Sequence, residues 1–423
     1  MALKREIGLF GAVAYGVGII LGAGIYALIG KASGLAGNAV WLSFLLAAVV
    51  AVFTGLSYAE LSSAFPKSGG EFVYACEAFG RATIAFLVGW LVIFSSVTAM
   101  STVALSFAGS LRFWFGTPIL PAAIGLVAIF SVVNFIGIRE SVRTNIILTM
   151  IEALGLILII AIGIGRYGTS NYLDMNNGLP GVFSAAALIF FAYMGFESIV
   201  KIAEELKNPQ KNLPKTILLA VLITSVIYVA VAFSAVSILT PVELETSMAP
   251  LADIASRVLG DAGGVILAAI ALFATANTVL ISNITVSRMF YGMATEQALP
   301  RVLGRIHKTR GSPWIAIAVS AVISALFIIY GDLKAIAELA DFAIFVVFIL
   351  VNLSLIQLRR KNTDVASSYR VPFNVKNLPI TALLGILTCL FLAVQFEWVI
   401  SLLGILVIIV GLAIHLLYEK VAA

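Results

Sequence analysis

Apolar stretches near or above the roughly 20 residues that an α-helix needs to cross a bilayer recur along the whole chain. No soluble domain of useful size fits between them. An ordinary soluble chain carries about a quarter charged residues. This one has 11% charged and 61% hydrophobic residues over 423 positions, with a mean hydropathy of +1.10. The expected fold is an all-α integral membrane protein with twelve transmembrane helices. Their centres lie near Tyr15, Ala51, Val92, Ala128, Leu156, Ile189, Ile227, Phe273, Val322, Phe348, Leu387 and Val407.

An even number of spans puts both termini on one side. If that side is the cytoplasm, 21 of the 26 basic residues fall in inner segments, leaving Lys31, Arg112, Arg166, Arg257 and Lys334 outside. That is the positive-inside pattern. The basic residues are spread over several inner loops and form no stripe, so the net charge of +5 calls for no nucleic-acid partner. Cys76 and Cys389 are too few and too far apart for a disulfide framework or zinc cluster. The apolar stretch after Lys4-Arg5 exceeds a signal-peptide core, so the first span is expected to be retained.

Two spans carry an interruption in mid-helix: Gly22-Ala23-Gly24 in the first, and Ala192 to Glu197, with Met194-Gly195 at its centre, in the sixth. Unwound backbone in hydrocarbon is tolerated only where protein, water or a ligand satisfies its N–H and C=O groups. Breaks in corresponding spans of two halves point to a midplane substrate site in a transporter. Spans one to five (1–166) and six to ten (181–360) each open with the interrupted helix. An odd number of spans per set inverts one set relative to the other. Spans eleven and twelve (378–418) are read as peripheral, within one transporter domain.

Around the inner loops, Tyr58-Ala59-Glu60-Leu61 leads to Pro66 and Gly69-Gly70; Met194-Gly195-Phe196-Glu197 leads to Glu204-Glu205 and Asn208-Pro209; and Arg288 to Ala294 precedes Pro300. With Gly22-Ala23-Gly24-Ile25, these ordered motifs resemble the amino acid permeases of the amino acid, polyamine and organocation transporter superfamily over roughly residues 5–360. The resemblance implies the leucine-transporter-type 5+5 inverted-repeat fold with discontinuous helices 1 and 6, and uptake or exchange of amino acids or related amines. Carried over residue by residue, the N–H groups of Gly22, Ala23 and Gly24 would face the substrate carboxylate. The Ile20 carbonyl, with those of Phe191 and Met194, would accept from the substrate amine.

Elementary electrostatics points the same way. A half-helix starting after a break offers free N–H groups and partial positive charge, while the half-helix before it ends in free carbonyls. A zwitterion suits both, and glycine lets backbone approach it closely. The plainer reading of Gly22 and Gly24 is close helix packing.

Glu152 lies deep in span five, where a carboxylate is rare and marks a functional candidate. Proton-coupled members of the family place a lysine in the corresponding position, so the lysine mechanism does not transfer. Glu152 is expected to load and release a proton, against the plainer reading of a carboxyl bonded to a neighbouring helix. Glu197, one residue past the sixth-helix break, suits the start of a half-helix. It is a candidate coupling acid, a gate residue or a partner of Arg288, with simple capping as the alternative. Thr275, Thr278, Ser282 and Thr285 form a hydroxyl stripe at helical spacing, lining a pathway or bonding to neighbouring helices. Glu204 and Glu205, near Lys201 and Lys207, read as surface ion pairs. The loop from Pro241 to Arg257 is a candidate outer lid.

No nucleophile with a base and no metal cluster stands out, so an enzyme is not expected. No cofactor is expected, with the proton as coupling ion and sodium as the alternative. The expected protein is a plasma-membrane permease with cytoplasmic termini and a small-molecule amino acid substrate. Neutral amino acids come first and cationic amino acids or polyamines second, with an exchanger and a sensor on the same scaffold as alternatives.

Overall fold

The computed structural model describes residues 5–330, 333–361, 369–396 and 398–422. Helices α1 (Leu9–Ala36) and α2 (Val40–Ala64) are joined by one 3-10 turn, and α3 (Glu71–Phe79) is a short helix before α4 (Ala82–Phe115), α5 (Ile119–Ile136) and α6 (Ile138–Ile164). The second half opens with α7 (Gly178–Ile189), which continues through 3-10 segments Phe190–Tyr193 and Phe196–Glu205 into α8 (Pro209–Ile238). Two short helices, α9 (Pro241–Thr246) and α10 (Pro250–Leu259), precede α11 (Asp261–Thr295), α12 (Trp314–Tyr330) and α13 (Leu333–Arg360). A hairpin of Asn374–Val375 with Leu378–Pro379 leads to α14 (Ile380–Ala393) and α15 (Trp398–Ala422).

Among the described residues, ten helical segments are long and apolar enough to cross a membrane. The two other expected spans are apolar but shorter, Trp314–Ile329 and Ile380–Ala393. Fourteen residues rise about 21 Å at 1.5 Å each, against about 30 Å of hydrocarbon, so α14 falls short of a full span. Helix α3 was not anticipated: the Pro66 to Gly70 turn leads into it, with Gly70 at φ 45° and Gly80 closing it at φ 62°.

Helix α1 runs through the interior, packed on α6, α7, α8 and α11, while α2 lies along α8 and α4 along α11 and α13. Helix α14 sits on α2 and α13, and α15 on α4 and α13. The spanning window of α15 is only 22% buried.

Lipid tails are as apolar as leucine, so helix association leans on close packing and on interhelical hydrogen bonds. Asn352 of α13 supplies such a junction: Ser57 donates to its Oδ1 (2.7 Å), and its Nδ2 donates to Thr54 (3.2 Å). Nearer the helix ends, Arg359 grips Glu60 through two bonds of 2.7 and 2.8 Å, and the Val371 N–H adds a third (2.7 Å). The motif residue Glu60 therefore ties α2 to α13 and to the segment that follows it.

At the opposite end of the molecule, α9 and α10 cover the last turns of α1. Thr240 and Glu243 form a reciprocal capping box at the start of α9. The hydrogen bond from Arg257 (2.8 Å), with those from Thr240, holds the exposed Glu243 carboxyl down at about 2. A depressed carboxyl stabilises at pH values above its unfolded range, and that contribution is lost progressively as the pH falls from the ordinary carboxyl range through about 2.

Gly30 lets this cover sit directly on α1: a Cβ there would meet the Leu244 carbonyl oxygen, and Pro250 Cγ at 2.8 Å. By contrast, a Cβ at Gly55 in α2 would meet only Ile217 at 3.6 Å and Val221 at 4.0 Å. Alanine exceeds glycine by about 1 kcal/mol in helix interiors. Gly55→Ala is therefore expected to raise the Tm of the detergent-purified protein and Gly30→Ala to lower it; equal shifts from the two would contradict the α1–α9 contact.

Candidate functional site

The interruption in α1 falls at Gly22, whose φ of −7° and ψ of −160° leave the helical region. A Cβ on Gly22 would approach Thr278 Oγ1 at 2.5 Å, and one on Gly24 would approach Ala192 Cα at 2.6 Å. The second interruption falls at Met194 (φ −58°, ψ 143°) and Gly195 (φ 123°, ψ −29°). That left-handed φ favours glycine, and a side chain there would collide with Ile19. The small residues thus serve both expected purposes: they admit the bend and bring the two breaks into contact.

The protein itself answers part of the polar demand. The Ala23 N–H donates to Thr278 Oγ1 (3.1 Å). Tyr228 of α8 donates to the carbonyl of Ile20 and reaches the carbonyl of Ala192 at 3.0 Å. The Met194 N–H reaches the carbonyls of Phe190 and Phe191 at 3.2 and 3.3 Å. Ala23, Ile20 and Phe191 therefore differ from the expectation of bare groups: each already has a protein partner, although a carbonyl oxygen can accept a second bond. Tyr228 went unnoticed in the sequence. Its signal was a tyrosine deep in an apolar helix, where a buried phenol needs a partner.

Between the breaks lies a cavity of about 60 Å³. A water needs roughly 10–15 Å³ on this measure, so there is room for about four to six waters or one small solute. Ile20, Gly22, Ala23, Gly24, Phe191, Ala192, Met194, Gly195, Glu197, Thr278 and Ser282 all line it, joined by Ser95, Ser96 and Ala99 of α4, the third span, none of which the sequence singles out individually. Ile25 is buried away from it. Thr275 lies outside the lining and returns its hydroxyl to Ala271 and Leu272 of its own helix at 3.1 and 2.8 Å. No lysine or arginine lines the cavity among the described residues.

Glu197 starts the half-helix beyond the second break, and its Oε2 accepts the Gly195 N–H at 2.8 Å. Capping and cavity lining are thus both realised. Arg288 does not pair with it. Eight residues of 3-10 segment at about 2 Å each separate Glu197 from Glu205, and it is Glu205 that Arg288 meets, at 3.1 Å.

Glu152 stands on α6, outside the cavity lining and fully buried. Its backbone carbonyl accepts from Tyr26 of α1 at 2.9 Å. Its side chain has Asn277 as a polar neighbour, and neither of its carboxyl oxygens has a well-formed hydrogen bond among the described residues. One turn away, Asn277 bonds Asn145 (2.9 Å) and Thr149 (3.4 Å), so α6 and α11 share a polar seam in which Asn277 has a definite part.

The motif loops converge at one end. The N–H groups of Glu6 and Ile7 both donate to the Glu205 carbonyl at 3.0 Å, and Lys207 returns a bond to Ile7 (2.8 Å). Arg288 also donates to Asn134 (2.5 Å), and the Ser68 N–H to Glu204 (2.9 Å). Lys201, fully buried, pairs with Glu71, which also accepts from Tyr58 (3.1 Å). The surface pairs expected of Glu205 and Lys201 are therefore replaced by buried ones. Periodicity could not place these side chains, because their partners come from helices far away in sequence.

Residues 7–403 match the amino acid permease family. The chain is 32% identical to the branched-chain amino acid permease BcaP of Bacillus subtilis and 28% identical to the methylthioribose transporter of the same organism, in each case over 99% of this chain and 94% of the relative. It is 26% identical to the glutamate/serine transporter AimA of Bacillus subtilis over 99% of this chain and 83% of that protein. With two broken helices meeting at a buried cavity and a match across nearly its whole length, this chain belongs to the amino acid permease family, whose members are membrane transporters and not enzymes.

Proposed function

We propose that this protein is a secondary active transporter that carries neutral amino acids across the plasma membrane by alternating access, driven by protons. The observation that carries this reading is the meeting of the two breaks at one small cavity, where half-helix ends of opposite polarity converge. Gly22 and Gly24 with their N–H groups suit a carboxylate, and the carbonyls of Phe191 and Met194 suit an ammonium. Ile20 and Phe191 contribute their second lone pairs.

The proposed topology has twelve spans with both termini in the cytoplasm, α12 and α14 completing the count. Spans within 1–166 and 181–360 form the inverted pair, as their shared order of an interrupted helix followed by continuous ones suggests. The basic-loop end is then cytoplasmic, and the buried pairs Arg288–Glu205 and Lys201–Glu71 hold it shut. Branched-chain, glutamate/serine and methylthioribose substrates among the relatives leave the side-chain preference to this chain's own cavity wall. A wall without lysine or arginine favours neutral substrates, and the Gly195 N–H at the half-helix start complements the Glu197 charge.

Glu152 is the proposed proton carrier. A carboxylate buried in a membrane helix without a strong donor is costly when charged, so its charge has to come and go with access to water. The bond from Tyr26 to its backbone carbonyl sets this stretch of α6 against the outer half of α1. In proteoliposomes, Glu152→Gln is expected to abolish accumulation driven by a pH gradient while keeping substrate exchange at equal pH. Full pH-driven uptake by this variant would remove Glu152 from the mechanism.

Tyr228 is the proposed positioning residue for both breaks. Tyr228→Phe removes the one donor that two buried carbonyls share, at about 1–3 kcal/mol. The expected result is a KM raised by tenfold or more with a lower Tm. Unchanged KM would show that the breaks hold their shape without it.

A further inference from the structure

The cavity has a polar far end that the binding of a zwitterion does not use. Thr278 marks the near end, where its hydroxyl takes the Ala23 N–H. Seven residues further along α11, about 10 Å at 1.5 Å per residue, Thr285 lines the same cavity. The residue is 1% exposed, and its Oγ1 has no hydrogen-bond partner among the described residues.

That sets it apart on its own helix. Thr275 and Thr278 both return their hydroxyls to carbonyls of the preceding turn, which is the usual outlet for threonine in a membrane helix. Thr285 has the same outlet at Ile281 and leaves it unused. A hydroxyl kept buried and unpaired costs free energy, and here the residue that carries it lines a space large enough for a solute.

The half-helix after the second break runs toward the same end, and it brings Glu197 and Ser198 into the wall. Glu197 commits Oε2 to Gly195 at 2.8 Å, while the Ser198 hydroxyl lies at the long distance of 3.5 Å from Oε1. The wall of this cavity therefore combines a residue whose hydroxyl can donate or accept with a carboxylate oxygen that has accepting capacity to spare. Ser282 and Ser96 extend the polar wall.

We propose that this far end is the side-chain subsite and that Thr285 makes it select short hydroxylated side chains, so that serine and threonine are the preferred substrates. The inference rests on the reading of the cavity as the transport site. A hydroxyl on the substrate can donate to Glu197 Oε1 and pair with Thr285 Oγ1 together. Valine has the shape of threonine but offers neither bond, and a site built to hydrogen-bond a substrate group rejects the analogue that lacks it. The cavity of about 60 Å³ also disfavours long cationic side chains.

The test is uptake of radiolabelled threonine and valine by the wild-type protein in proteoliposomes, repeated with Thr285→Val and Thr285→Ser. Wild type is expected to favour threonine over valine at least tenfold in initial rate at low concentration. Thr285→Val should bring that ratio near one or reverse it, and Thr285→Ser should retain it. Because the ratio is taken within each variant, differences in folded amount cancel, and the wild-type ratio decides even if a variant does not fold. Valine carried as well as threonine by wild type overturns the subsite, as does a ratio unmoved in Thr285→Val. Uptake of leucine or phenylalanine without threonine overturns it while leaving the permease reading intact. Absence of uptake across all twenty amino acids overturns both.

Discussion

Main chain that leaves the helical path inside hydrocarbon has to be given partners, and most of this molecule is arranged to give them. Each unsatisfied N–H or C=O in a bilayer costs several kcal/mol. Two such interruptions placed apart would be two separate liabilities. Placed face to face, they share the remedy: Tyr228 alone reaches the carbonyl of Ile20 in one break and that of Ala192 in the other. Thr278 meets the Ala23 N–H from the opposite side. The small residues at the crossing follow from the same demand, because Gly24 against Ala192 and Gly195 against Ile19 leave no room for a side chain. Close approach and polar satisfaction are one requirement here.

Much of this was readable from residue order. Apolar length marked the membrane helices, and glycine in two of them marked the breaks, since few other residues accept a φ of 123°. Less readable was everything that depends on which helices become neighbours. Nothing in residues 201–205 says that Lys201 turns inward to Glu71 while Glu205 turns to Arg288, because those partners lie 130 and 83 positions away. Charged residues in a loop read as solvated until the fold encloses them. The hydroxyl stripe of α11 was half legible: the spacing put Thr275, Thr278, Ser282 and Thr285 on one face, but only the neighbouring helices decide which of them reach the cavity. Thr275 falls outside it, and Thr285 lines it with a hydroxyl that has no partner among the described residues. The shortness of α14 was hidden as well, because an apolar segment does not announce where its helix stops.

The buried charges at the basic-loop end bear on how the proposed cycle could run. A gate has to be firm when closed and yet open at modest cost. Apolar packing alone serves this poorly, since every exposed side chain is paid for in full when the gate parts. Ion pairs behave differently. Burying Lys201 with Glu71, or Arg288 with Glu205, removes each charge from water, and their mutual attraction returns only about what that removal costs. On opening, water re-solvates both partners, so the net change per pair is small. Removing one partner while the end stays shut is another matter, because the charge left behind has neither water nor counterion. The arrangement therefore tolerates separation of whole pairs and penalises their mismatch, which suits a closure that must be specific without being strong. It also explains why the pairs join different parts of the chain: Lys201 and Glu205 belong to the half-helix after the second break, whereas Glu71 and Arg288 belong to α3 and α11. Movement of that one half-helix would part both pairs together, and the same movement would carry Glu197 and Ser198 out of the cavity wall. Release of a solute and opening of the end would then be a single event, coupled through ten residues of backbone.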